Sequence, residues 1–221
     1  MLKVLTGEQL IKGSSVDIPK LVDPLLPKVG VASLAGSSDT GKSTMLQQLA
    51  SAIVVGENNF LGFQLNATHN NVIYLSTEDD PAAVGARLIK QSEGNYEADQ
   101  LVSLRFIFEY ENLIDDLDKE LLRQKADCVI IDAFADVFGD NDINQVSKVR
   151  SFINKFNELA LKHQCLFLIL HHIGKRTESL APSKDSLIGS QGFEAKMRVV
   201  LFLQKDPKDS TLRHLSIVKG K

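Results

Sequence analysis

The sequence predicts an α/β fold: a mostly parallel central sheet with helices on both faces and an antiparallel C-terminal edge. Three observations predict it. Short apolar runs alternate with stretches of helical period between residues 29 and 170. One of these runs, 31–35, breaks into a glycine-flanked loop that opens a helical stretch, a strand–loop–helix unit. The last two runs, 199–203 and 212–218, flank the polar turn K-D-P-K-D-S, as an antiparallel pair does.

Residues 1–19 are mixed in pattern and read as an N-terminal extension, with a short helix around 7–12 and then G-S-S. In I-P-K-L-V-D-P-L-L-P-K the three prolines favour an extended segment packed on the approach to the sheet. Strand 29–35 feeds the glycine loop, and 45–55 continues as a helix. After Gly56, E-N-N-F-L-G-F-Q-L has hairpin chemistry, and Asn70 and Asn71 turn the chain into strand 72–75, which ends in S-T-E-D-D. Pro81 suits a first helical turn, so Asp79 or Asp80 caps a helix running through Gln91.

A weaker strand, 104–108, precedes a helix over 112–124, where Leu113, Ile114, Leu117, Leu121 and Leu122 keep a helical period. Next come the apolar strand 128–131 ending at Asp132, a loop, and a long helix over 143–163 with Val146, Val149, Phe152, Ile153, Phe156 and Leu159 facing the core. Strand 166–170 ends at His171 and His172. From 173 to 191 the pattern lapses into Gly, Lys, Arg, Ser and Pro, which reads as a long mobile loop, and loops of that length in compact domains are mostly functional or disordered.

At 221 residues and 43% apolar content the chain suits one sizeable domain, over 20–221. A net charge of −3 with a pI near 6.0 argues against a globally basic nucleic-acid coat, while leaving room for a locally basic loop. Cys128 and Cys165 fall in buried strands, as small apolar residues of a reducing compartment. No apolar run reaches about 18 residues and no charged-then-apolar leader opens the chain, so a cytoplasmic protein is expected.

The loop G-S-S-D-T-G-K-S-T fits GxxxxGK[ST]. The spacing has a chemical reason. Gly36 and Gly41 free the backbone so that the N–H groups of Ser37, Ser38, Asp39 and Thr40 point inward at phosphate oxygens. Lys42 reaches the β- and γ-phosphates, the Ser43 hydroxyl serves as a magnesium ligand, and Thr44 continues into a helix whose N-terminal dipole favours anions. Nucleoside triphosphate and Mg²⁺ are the implied cofactors.

Asp132, at the carboxyl end of an apolar strand, is placed to hold magnesium through water. Glu78 also follows an apolar strand, the one after the first helix, and in a doubly wound sheet it should lie beside the phosphate loop and direct the attacking water. Asp79 and Asp80 suffice for capping, which leaves Glu78 for chemistry. Of His171 and His172, adjacent residues at a strand end point opposite ways, so at most one faces the nucleotide; that alternation, together with the resemblance described below, favours His172 over His171. Arg198, Lys219 and Lys221 are isolated basics that an oligomer could direct at a neighbour's γ-phosphate. Lys175, Arg176 and Lys184 are candidate nucleic-acid contacts.

Taken together, these pieces resemble the RecA-like P-loop ATPases, and most closely the RepA-type hexameric helicases. The resemblance rests on V-D-P-L-L-P-K-V-G-V-A-S-L-A-G, the Walker A loop, Y-L-S-T-E-D-D, V-I-I-D-A-F, L-I-L-H-H-I-G-K, G-S-Q-G-F-E-A-K-M-R and I-V-K-G-K, and it covers residues 20–221. It implies that Glu78 is the catalytic base, Asp132 the Walker B aspartate, His171 and His172 the pair that replaces a glutamine sensor, and Arg198 an arginine acting in trans. Lys219 and Lys221 are similar to an element that ring helicases insert into a neighbouring site, and 173–191 would line a central channel. Where the family often has Thr or Ser after the Walker B aspartate, this chain has Ala133. The expectation is a magnesium-dependent ATPase that forms a homo-oligomeric ring, six-membered, and moves along single-stranded DNA in plasmid or mobile-element replication. The alternative is an ATP-driven regulatory or assembly switch without nucleic-acid translocation.

Overall fold

The computed structural model describes residues 4–13, 17–139, 145–174, 181–183, 187 and 190–220. In chain order the elements are α1 (Gly7–Gly13), β1 (Lys20–Asp23), β2 (Leu26–Pro27), β3 (Gly30–Gly36), α2 (Lys42–Val55), β4 (Asn59–Phe60), β5 (Phe63–Leu65), β6 (Val72–Ser76), α3 (Pro81–Ser92), β7 (Leu104–Ile107), α4 (Leu113–Arg123), β8 (Cys128–Asp132), α5 (Phe134–Phe138), α6 (Val146–His163), β9 (Leu166–His172), α7 (Ser190–Phe193), β10 (Val199–Lys205) and β11 (Arg213–Lys219).

Seven strands form the central sheet in the order β11-β10-β3-β9-β8-β6-β7. All neighbours are parallel except β10 and β11, which pair antiparallel. Burial on both faces explains why β3, β6 and β8 are apolar almost throughout, since every residue of each is buried. One face packs Leu46, Leu49 and Ile53 of α2 against Leu34, Tyr74 and Ile130; the other packs α4, α5 and α6 through Leu117, Phe134 and Phe156. The fold class expected from the alternation of strands and helices is the one observed.

Four features go beyond what the sequence reading specified. β6 does not lie beside β3, because β8 and β9 are inserted between them, so the crossover after α2 spans three strand positions. The proline-rich approach and the hairpin after Gly56 join in a second small sheet, β2-β1-β5-β4, whose hairpin turns on Leu61 and Gly62 at positive φ. The expected loop after Asp132 opens with α5, five residues long and too short to declare a helical period. Within the expected loop 173–191, Ile173 and Leu187 are buried and bridge one another, two apolar residues that tie the segment to the core. Among the described residues, no helix is long and apolar enough to cross a membrane.

Candidate active site

Parallel pairing puts the carboxyl ends of β3, β9, β8 and β6 on one rim. Gly36 is in register with His172, and Ser76 with Asp132. The loop after β3 opens at that rim into a cleft of about 530 Å³, which Lys42, Ser43, Glu78, Asp79, Arg87 and His172 share in lining. Glu78 therefore reaches the loop by its side chain, although its strand stands three positions away.

The two loop glycines act for different reasons. Gly41 sits at φ 90, where an L side chain is strained, and permits the turn into α2. Gly36 yields to a neighbour instead, because a Cβ there would stand 2.4 Å from the Leu203 carbonyl oxygen of β10. Inside the loop, Lys42 Nζ donates to the Ser37 carbonyl at 2.6 Å and Thr40 Oγ1 donates to the same oxygen at 2.9 Å. Burial lowers the Lys42 pKa, and the negative charges of Glu78, Asp132 and Asp39 oppose that shift. From outside, Arg213 Nε donates to the Thr40 carbonyl at 2.9 Å.

Asp132 is 2% exposed. Burial raises its pKa, the Tyr74 and Ser43 hydroxyls favour its ionised form, and the charges of Glu78 and Asp79 press it back up. Tyr74 OH donates to Oδ2 at 2.6 Å, whereas Oδ1 is shielded from solvent and has no hydrogen-bond partner among the described residues. Glu78 has the opposite balance: its hydrogen bond with His172, Glu78 Oε1 to Nε2 at 2.9 Å, holds its pKa below the ordinary value, against partial burial and with help from Lys42.

Thr77 ties these two strand ends together. Its N–H donates to the Asp132 carbonyl at 2.8 Å, and its Oγ1 accepts from Ala133 N–H at 2.9 Å. The same hydroxyl lies 2.9 Å from the Asp132 carbonyl and 2.7 Å from Asp136 Oδ2, either of which can accept its proton. The Asp132–Ala133 peptide bond is cis.

His171 and His172 part as strand alternation requires. His171 is buried and stacked on Phe193, with ring centroids 4.1 Å apart, while His172 turns into the cleft. Asp80, not Asp79, caps α3 by accepting from Ala83 N–H at 2.8 Å, and Asp79 pairs with Arg87, whose Nε also donates to Gln47 at 3.2 Å.

Arg198 and Lys219 lie at the other rim. Arg198 N–H donates to the Val31 carbonyl near the start of β3, so its backbone stands roughly 17 Å from Gly36 at about 3.3 Å per strand residue. Lys219 pairs in register with Val200, and its ammonium donates to Glu194 Oε2 at 2.8 Å. Neither reaches the phosphate loop of its own chain. Lys175, Arg176, Lys184 and Lys221 lie outside the described residues.

Tyr74, Arg87, Thr77 and Arg213 escaped the sequence reading. For Tyr74 a signal existed, since a phenol inside a fully buried strand needs a hydrogen-bond partner. Arg87 and Arg213 carry no local signal, because their targets are distant in sequence.

The oxygen set suits magnesium. That ion takes one or two carboxylates together with phosphate and water oxygens, and does not need a cage built by the protein alone. Ser43 and the unpartnered Oδ1 of Asp132 are such donors, and no group of three or more His, Cys, Asp or Glu that could hold a metal occurs among the described residues. A family model described as an AAA domain matches residues 5–178. No curated protein is similar enough to match the chain.

Proposed function

The chain belongs to the AAA domain family, P-loop proteins of the ATPase type, and on that premise we propose that it is a magnesium-dependent ATPase assembling into a six-membered ring that moves along single-stranded DNA. The ATPase part of the reading is supported by one observation: Lys42, Glu78 and His172 line the same cleft as Ser43, with Asp132 close enough for its charge to act on Lys42; the ring and the DNA track rest on the resemblance of the sequence.

In this reading the loop N–H groups and the α2 N-terminus cradle the phosphates, and Lys42 leaves the Ser37 carbonyl to bind the β- and γ-oxygens. Ser43 and Asp132 would hold the metal, which would supply positive charge to the transferring phosphoryl group. Glu78, ionised at neutral pH, orients and deprotonates water, and His172 lies within hydrogen-bond reach of that carboxylate to register the loss of γ-phosphate. Arg198, remote from its own loop, is left for a neighbour's site, which is what a ring would supply; Lys219 would first have to leave Glu194 to act in the same way.

Lys42→Ala is expected to abolish ATP hydrolysis; turnover at the parental rate would remove the whole site assignment. Single-stranded DNA added to the same assay tests the second half. Stimulation that weakens with salt supports translocation. The net charge of −3 favours a second reading, an ATP-driven assembly switch without nucleic acid, which predicts no stimulation at any salt.

A further inference from the structure

We infer that Tyr74 is a positioning residue for the metal: its hydroxyl occupies Asp132 Oδ2 and turns Oδ1 alone toward the metal side. This rests on the reading of the cleft as a metal–nucleotide site. Tyr74 is in register with Ile130 on β8, and its phenol runs along the sheet face to reach Asp132 two residues further on, a diagonal pair that only a long side chain can make. Both residues are almost wholly buried, Tyr74 at 0% and Asp132 at 2% exposed. The ring is fixed from its other side by Phe106, with centroids 5.2 Å apart.

Packing alone would not require a hydroxyl here, because Val72, Ile73 and Leu75 of the same buried strand are aliphatic. A carboxylate with two free oxygens can rotate, or present both to a cation. With Oδ2 engaged at 2.6 Å, the remaining oxygen is the one without a partner, and the Ser43 hydroxyl acts on the same carboxylate. β6 also carries Glu78 two residues past its end. The tyrosine thus ties the strand that presents the base to the strand that presents the metal ligand, below the tie made by Thr77. Hydrogen bonds that orient a ligating side chain typically govern affinity for the ion by about 10- to 100-fold.

Tyr74→Phe removes the hydroxyl and keeps the ring. The test is Mn²⁺ binding to the full chain loaded with a non-hydrolysable ATP analogue, read by electron paramagnetic resonance, beside binding of the analogue in excess chelator. The expected result is Mn²⁺ affinity about tenfold weaker in Tyr74→Phe, with chelator-phase nucleotide binding unchanged. In an Asp132→Asn background the same change should have no further effect on Mn²⁺. Unchanged Mn²⁺ affinity overturns the inference. So does an equal loss of metal-free nucleotide binding, which would make the hydroxyl structural only, and so does an undiminished effect in Asp132→Asn. If the parental chain shows no nucleotide-dependent Mn²⁺ binding at all, the reading of the cleft falls along with the inference.

Discussion

Glu78 and Asp132 end neighbouring strands and face the same lysine, yet their surroundings push them opposite ways. Asp132 is sunk below the rim, where burial raises its pKa and two hydroxyls keep the ionised form accessible. Glu78 stands higher, its side chain 42% exposed, and His172 holds its pKa down. The difference is what would let one fold give two carboxylates separate work. A sunken carboxylate with fixed orientation suits a stationary cation, and a half-exposed one suits a water molecule that is consumed and replaced.

The largest effect should come from breaking the upper carboxylate. Glu78→Gln preserves shape and removes the base, so turnover should drop by about 10²- to 10⁴-fold with ATP still bound. Asp132→Asn should act on the other axis, weakening Mn²⁺ by up to about 100-fold in a titration of the nucleotide complex. The smallest effect belongs to His172→Ala. In the proposed function Glu78 acts as the carboxylate, above its pKa, and that pKa is held down chiefly by the hydrogen bond to His172. Losing the bond lets the pKa rise, so the acid limb of kcat/KM should move to higher pH while the rate near neutrality changes little. A limb that moved to lower pH would break the contrast between the two carboxylates.

Much of this was legible in the sequence for physical reasons. Gly36 to Thr44 is contiguous, so local spacing alone carries the phosphate loop, and a buried parallel strand ending in aspartate is readable from V-I-I-D. That His171 and His172 part, one to the cleft and one to the core, was readable because strand alternation is strict, but alternation does not say which goes where. What stayed hidden depends on contacts across the sheet. The place of β6, three strands from β3, follows from where the later strands β8 and β9 insert, and no residue of β6 announces that. The Tyr74–Asp132 and Thr77–Asp132 bonds span 58 and 55 residues, and the Arg213–Thr40 bond spans 173. Where the sequence reading asked for a glycine, the reason could differ: at Gly36 a side chain is excluded chiefly by the Leu203 carbonyl of β10.

The division of labour between the carboxylates is tested most directly by single-turnover hydrolysis in Glu78→Gln with Mn²⁺ affinity read on the same nucleotide-loaded sample. The prediction is parental Mn²⁺ affinity with ATP left intact. Hydrolysis at the parental rate, or Mn²⁺ loosened as far as in Asp132→Asn, would contradict it.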